Sequence, residues 1–115
     1  MLFRSEVERE TVKLKKAQYM LMHVGESFEG IISSVTSWGI YVELPNTVEG
    51  LVRASDMDDD YYIFDDNKQA MVGRLSRKEY RLGDTVRVIM LGADLTLRTI
   101  SFGMDPGPDN YIYEE

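Results

Sequence analysis

Two large aromatic residues, Trp38 and Tyr41, are the side chains of this sequence best suited to binding chemistry, and Gly39 stands between them. A glycine inside a strand often marks a β-bulge, which resets by one residue the alternation of side chains between the two faces. We expect such a bulge at Gly39 to bring both rings to the same outer face. Two exposed rings side by side would form a stacking platform for nucleic-acid bases. Each stacked base would contribute roughly 1–3 kcal/mol to the binding free energy.

A regular strand without a bulge would place the two rings differently, because residues three apart then point to opposite faces. Ile40, Val42 and Leu44 would fill the interior, Tyr41 would lie outside, and Trp38 would point into the core. Aromatic residues of strands are most often core residues. Residue types alone leave both arrangements open.

The residues needed for catalysis or metal binding are sparse. The chain has no cysteine and a single histidine, His23, so no convincing nucleophile–base pair can be assembled. The acidic run that begins at Asp56 resembles the start of an EF-hand loop, but Tyr61 replaces the glycine of its sharp turn and Asn67 replaces its final glutamate. We therefore expect no catalytic site, metal ion or other cofactor in this chain.

Charge and composition indicate the setting in which the chain works. The net charge of −7 opposes nucleic-acid binding, but a basic cluster of Arg74, Arg77, Lys78 and Arg81 follows the acidic run and could leave one face positive. No apolar run approaches the length of a membrane span, and the first residues lack the apolar stretch of a signal peptide. With no cysteine, the chain suits a reducing compartment, so we expect a cytoplasmic protein that makes no membrane contact.

The pattern of elements predicts an all-β domain preceded by one helix. A stretch without proline or glycine from Ser5 to about Met22 predicts an amphipathic helix. Its apolar face is expected to carry Val7, Thr11, Leu14 and either Gln18 or Met22. Five later segments alternate apolar and polar residues between turn signals, and five strands are typical of an OB-fold barrel. These strands are expected at residues 28–35, 38–44, 48–54, 85–91 and 97–104. An insertion of about residues 56–82, between the third and fourth strands, should contain a hairpin, and residues 105–115 should form a C-terminal tail.

One set of residues resembles the motifs of the S1-type RNA-binding domain, an OB fold. The matching positions are Gly30, Ile32, Val35, Trp38, Gly39, Tyr41, Val42, the run Glu49-Gly50-Leu51-Val52, Ser55, and the run Gly83-Asp84-Thr85-Val86-Arg87-Val88. The resemblance covers about residues 26–103. It implies binding of single-stranded RNA, with Trp38 and Tyr41 at the positions of the family's two platform aromatics.

The same resemblance implies three further RNA-binding residues. Arg53 stands where the family often has histidine, and arginine can contact a phosphate or a base edge. Asp94 and Arg98 match by spacing the acidic and basic residues that the family places around the last turn. The family's basic residue often stands directly before the isoleucine of the last strand, where this chain has Thr99.

The helix and the insertion resemble a narrower group, the bacterial ribonuclease R enzymes. In that group a segment similar to residues 10–20 joins the catalytic domain to the C-terminal S1 domain, and the insertion is similar to residues 60–65 and 80–84. The resemblance implies that residues 1–24 are a helical linker from a preceding catalytic domain and that residues 25–104 are the S1 domain. The parent would be a processive 3′-to-5′ exoribonuclease that holds Mg²⁺ in that other domain, while this fragment retains substrate and is not itself an enzyme.

An alternative function is a protein-interaction module, because OB barrels also bind proteins and a fold does not determine a function. The acidic charge and the apolar hairpin expected near residues 61–64 favour protein contacts through the 56–82 insertion.

Overall fold

The structure, a computed structural model, describes residues 4–105 and the side chains of residues 9–105. The predicted tail therefore lies, from residue 106 onward, outside the described residues. A helix, α1, spans Arg4–Leu21, close to the predicted range. Eight strands follow: β1 Ser27–Thr36, β2 Gly39–Glu43, β3 Glu49–Arg53, β4 Tyr62–Asp65, β5 Ala70–Gly73, β6 Glu79–Arg81, β7 Thr85–Asp94 and β8 Thr99–Met104.

Five of these strands close into a barrel in the order β1-β2-β3-β8-β7. Neighbouring strands are antiparallel except β3 and β8, which run parallel. Alternate residues of each strand fill the interior, as the pleat requires. The largest fully buried side chains of the barrel are Phe102, Ile32, Ile40, Met90, Val42, Val52 and Val88. The predicted all-β class, a five-stranded OB-fold barrel with an N-terminal helix, is confirmed.

Helix α1 packs against β7 and β8 through Ala17 and Met20, which are fully buried in the barrel core. The expectation that Gln18 or Met22 lies on the buried face is wrong. Met22 is 73% exposed, because the helix ends at Leu21 and the chain turns there toward β1. Among the residues that the structure describes, no helix is long and apolar enough to cross a membrane.

The predicted bulge at Gly39 is also wrong, since β2 pairs with β3 in unbroken register from Gly39 onward. The irregularity lies in β1, between Ile32 and Ser34. There the chain that returns from the insertion bonds to β1: the Ile32 amide donates to the Asp84 carbonyl at 2.9 Å, and the Gly83 amide donates to the Ile32 carbonyl at 2.8 Å. The chain that returns from the insertion thus pairs with β1 at the residue where the irregularity begins.

The insertion forms a second sheet of three antiparallel strands in the order β4-β5-β6. The predicted hairpin is confirmed as β4 and β5, which pair Phe64 with Met71. The third strand, β6, was not predicted. Met71 and Tyr80 are buried in the same apolar cluster as the barrel residues, so the inner face of this sheet adds to the barrel core.

Candidate nucleic-acid interface

Trp38 lies in the tight turn that joins β1 to β2. Thr36 pairs with Gly39 across this turn, and the Thr36 hydroxyl donates to the Gly39 carbonyl at 2.8 Å. The Ala54 amide donates to the Trp38 carbonyl at 2.9 Å and so ties the turn to the end of β3. A side chain at position 39 would place its Cβ 2.1 Å from the Val52 carbonyl oxygen, so this close approach requires glycine.

The two aromatic rings lie outside the barrel and contact each other. Trp38 is 59% exposed, and its indole Nε1 donates to the Tyr41 hydroxyl at 3.2 Å. Tyr41 points outward from β2, beside Leu51 of β3. The structure thus places the rings together on one face, as expected, although a hairpin turn and not a bulge at Gly39 brings them there.

A groove of about 640 Å³ extends from Tyr41 toward α1. Its floor is the outer face of β3 and β8. Its charged lining comprises four cations, Lys13, Lys16, Arg53 and Arg98, and three carboxylates, Glu10, Glu43 and Glu49. The three carboxylates thus offset most of the positive charge of the four cations.

Arg53 is exposed at the end of β3, where it pairs with Gly39 of β2. The alternation along β3 sends Leu51 and Arg53 to the same outer side. Arg53 thus lines the groove close to the turn that carries Trp38.

The turn between β7 and β8 determines where Arg98 lies. The Asp94 carboxylate accepts hydrogen bonds from the Thr96 and Leu97 amides, both at 2.9 Å, as in an Asx turn. Arg98 follows with a φ of 56° and lines the groove, with its Nε 3.5 Å from Glu10 Oε2. Asp94 itself does not line the groove, and its contacts hold the turn that presents Arg98.

Two groove residues, Lys13 and Lys16 of α1, were missed by the sequence analysis. The Lys13 ammonium lies 3.9 Å from Glu10 Oε1, and the Lys16 ammonium donates to the Thr47 carbonyl at 3.2 Å. Residues three apart share a helix face, so the pair could have been grouped from sequence. The packing of Ala17 and Met20 turns that face toward the groove, and sequence alone does not reveal this packing.

The basic cluster noted in the sequence does not line this groove. Arg74 and Arg77 line a separate cleft on the insertion. Arg81 pairs with Glu79 at 2.8 Å, and the Lys78 ammonium lies 5.3 Å from the centre of the Tyr80 ring. The positive charge in the groove beside Tyr41 thus comes from Lys13, Lys16, Arg53 and Arg98, and not from the basic cluster.

In the acidic loop that resembles an EF-hand, the Asp60 carboxylate binds backbone amides of a neighbouring turn. This carboxylate accepts hydrogen bonds from the Ser76 amide at 2.7 Å, the Tyr61 amide at 2.7 Å and the Leu75 amide at 3.2 Å. The hydrogen bonds from the Ser76 hydroxyl and from these amides lower the pKa of Asp60 to about 2. Asp60 therefore holds the turn between β5 and β6. Among residues 9–105, whose side chains the structure describes, no group of three or more histidine, cysteine, aspartate or glutamate residues is arranged to hold a metal ion.

The sequence comparisons identify the family. Residues 22–105 match the S1 RNA-binding domain. The chain belongs to the S1 domain family. This S1 domain is 40% identical over 97 residues to ribonuclease R 1 of Lactococcus lactis, and 40% identical over 100 residues to ribonuclease R of Escherichia coli. The matches cover 84% and 86% of this chain but only 12% of each relative.

Solved structures give the same grouping. The apo form of Mycoplasma genitalium RNase R matches this S1 domain with a TM-score of 0.80 and 26% identity, over 85% of this chain and 15% of that one. A second structure of the same enzyme, in complex with ribose-methylated single-stranded RNA, matches equally well. The predicted family, an S1 domain related to ribonuclease R, is confirmed.

Proposed function

We propose that this S1 domain binds single-stranded RNA, with bases stacked on Trp38 and Tyr41. The observation that carries the proposal is the exposed Trp38 ring, which donates a hydrogen bond to the half-buried Tyr41 at one end of a groove lined by four cations. Every base offers a face for stacking, so such a platform binds single strands with little dependence on sequence. The related M. genitalium enzyme in complex with single-stranded RNA supports the same assignment.

The remaining predicted residues have distinct parts in this proposal. Arg53 contacts a phosphate or a base edge next to the rings, and Arg98 contacts the backbone at the α1 end of the groove. Asp94 acts through Arg98, by holding its turn. Because three carboxylates offset the four cations, we expect micromolar or weaker affinity that falls as salt is added.

In the parent protein, this S1 domain retains the substrate of a processive 3′-to-5′ exoribonuclease that acts in the cytoplasm. The curated relatives are ribonuclease R proteins, and the chain spans 12–14% of the length of those it matches. Cleavage and the Mg²⁺ that supports it belong, in this proposal, to a separate catalytic domain, to which residues 1–24 connect. The S1 domain holds the strand while its 3′ end enters that domain.

The test is a titration of a fluorescein-labelled single-stranded RNA, followed by anisotropy. Replacing both Trp38 and Tyr41 by alanine should abolish binding, because both stacking contacts are lost. Tyr61→Ala is the matched control, since Tyr61 is also an exposed aromatic, at 75%, but belongs to the insertion. Equal affinity of the double variant and the wild type would overturn the stacking proposal.

The proposal that this fragment is not an enzyme has a separate test. Incubation of the S1 domain with the same RNA and Mg²⁺ should leave the oligonucleotide at full length on a denaturing gel. Progressive shortening that needs Mg²⁺ would contradict it.

A second candidate function, protein binding through the insertion, rests on three exposed apolar side chains. Tyr61, Ile63 and Leu75 are 75%, 56% and 81% exposed on the small sheet and its adjoining turns. A partner retained after nuclease treatment, and lost when Ile63 and Leu75 are replaced by serine, would support this function. Equal retention by the serine variant would exclude a contact through these side chains.

A further inference from the structure

The carboxylate of Glu10 lies between two cations of the groove. Its Oε2 atom faces Arg98 Nε at 3.5 Å, and its Oε1 atom faces the Lys13 ammonium at 3.9 Å. The Arg98 Nε atom is buried and has no hydrogen-bond partner in the described part of the chain, where side chains are described from residue 9 onward. Glu10 thus brings one negative charge close to two cations without giving Arg98 Nε a hydrogen-bond acceptor.

We propose that Glu10 occupies a phosphate-binding subsite formed by Arg98 and Lys13, and that a phosphodiester of the bound RNA strand displaces it. A phosphodiester, like a carboxylate, presents two oxygens that share a negative charge, and arginine binds either group with charge-assisted hydrogen bonds. The inference rests on the proposed RNA binding. It adds α1 to the binding site and gives Glu10 the role of a competing anion.

The subsite lies within reach of a strand that is stacked on the rings. Strand β8 runs parallel to β3 with Ser101 beside Leu51, and Leu51 faces Tyr41. Arg98 precedes Ser101 by three residues, which is about 10 Å along the strand direction. A backbone phosphate near the stacked bases can therefore reach Arg98 and Lys13 along the same groove.

Displacement of Glu10 is energetically accessible because its own carboxylate is half exposed and its ion pair with Lys13 is exposed. The side chains of Glu10 and Lys13 are 49% and 55% exposed, and exposed ion pairs contribute little to stability. A phosphate could also accept the hydrogen bond that Arg98 Nε lacks. Competition by Glu10 would make the subsite a poor one for free anions, so that phosphate binds there mainly when stacking holds the strand nearby.

Three single variants test the subsite in the anisotropy titration, repeated over a series of salt concentrations. Glu10→Gln keeps the side-chain size and removes the competing charge, so RNA should bind about two- to five-fold more tightly. Lys13→Gln removes a phosphate contact, so binding should weaken and the slope of log K against log salt should become shallower by about 0.7. Lys15→Gln is the matched control, because Lys15 is exposed on the same helix and does not line the groove.

Tighter binding by Glu10→Gln, together with weaker binding and a shallower salt slope for Lys13→Gln than for Lys15→Gln, supports the subsite. Equal affinities and slopes for Lys13→Gln and Lys15→Gln overturn it, as does a Glu10→Gln variant that binds no more tightly than wild type. In either of those cases the proposed function stands if wild type binds RNA and the alanine double variant of Trp38 and Tyr41 does not. No binding by wild type overturns both proposals.

Melting curves check that each variant is folded. The salt slope is a second readout, because a purely structural role of α1 would not change it.

Discussion

Two pairs of aromatic rings in this S1 domain differ in their exposure to solvent and in how the two rings of each pair contact each other. In the groove, Trp38 is 59% exposed and touches Tyr41 only through a hydrogen bond between their polar edges. In the insertion, Tyr80 is 8% exposed and its ring lies 5.4 Å from that of Tyr62, tilted by 52°. Burial, followed by the nearby Tyr80, raises the pKa of Tyr62 far above that of an ordinary tyrosine.

The difference between the pairs shows that ring placement, and not residue type, separates a binding surface from a core. Tyr80 lies on a strand whose inner face meets the barrel, so its ring is covered by other side chains. Trp38 lies in a turn held by one hydrogen bond from the Thr36 hydroxyl and one from the Ala54 amide, so the turn is fixed while most of the Trp38 side chain stays exposed. We therefore expect changes in the first pair to alter stability and changes in the second pair to alter RNA binding.

The largest effect is expected from Tyr80→Ala. Removing a large buried ring should lower the free energy of unfolding by about 3–5 kcal/mol, as measured by denaturant titration. RNA affinity should stay at the wild-type value under conditions in which the variant is folded. An unfolding free energy close to that of wild type would contradict the assignment of Tyr80 to the core.

A smaller effect is expected from Trp38→Ala, and it should fall on RNA affinity and not on stability. Loss of one stacked base should weaken RNA binding by about 1–3 kcal/mol in the anisotropy titration. The free energy of unfolding should change by less than about 0.5 kcal/mol, because the ring is mostly exposed. Trp38→Phe should recover most of the affinity, and a phenylalanine variant as weak as alanine would argue against stacking.

Asp60→Asn should alter the pH dependence of stability and leave RNA binding at neutral pH unchanged. The folded-state pKa of about 2 lies below the ordinary value of 3.8, so ionised Asp60 favours the folded state. This contribution is complete above pH 3.8 and is lost as the pH falls toward 2. The difference in melting temperature between wild type and variant should therefore shrink over that range, and a difference that stays constant would contradict the turn-holding role.

The smallest effects are expected from a matched pair of hydroxyl deletions. Tyr41→Phe removes the acceptor of the Trp38 indole, and Tyr62→Phe removes the donor of a 3.1 Å hydrogen bond to Asp59. Each deletion should cost at most about 1 kcal/mol. The first should reduce RNA affinity and the second should reduce stability, and the reverse pattern would contradict the distinction between the pairs.

Much of the fold could be predicted because its signals are local. The five barrel strands show alternating side chains between turn residues. The β4–β5 hairpin has its connecting turn at residues 66–69, where Asp66 and Asn67 signal a turn in the sequence. Strand β6 was missed because Glu79–Arg81 is too short to show alternation and is rich in charge. Its pairing becomes evident only when Tyr80 is seen to lie beside Met71.

The candidate site was predictable where it depends on neighbouring residues and not where it depends on distant ones. The outward placement of Trp38 and Tyr41 was expected, but the bulge in β1 lies where Ile32 bonds to Gly83 and Asp84, about fifty residues away. The groove cations of α1 depend on how the helix docks against the barrel. Tertiary packing of this kind leaves no local pattern in the sequence.

The apolar contacts of the insertion have a consequence for how this domain assembles and evolves. Three residues of the insertion, Met57, Met71 and Tyr80, are buried in one cluster with the barrel interior. Removing the insertion would therefore expose apolar barrel residues to solvent. We therefore do not expect the segment to tolerate trimming like an ordinary surface loop, and we expect barrel and insertion to unfold in one cooperative transition. We then expect substitutions to be tolerated mainly on the outward side of the small sheet and to destabilise the domain on its inward side, where Met71 and Tyr80 are buried.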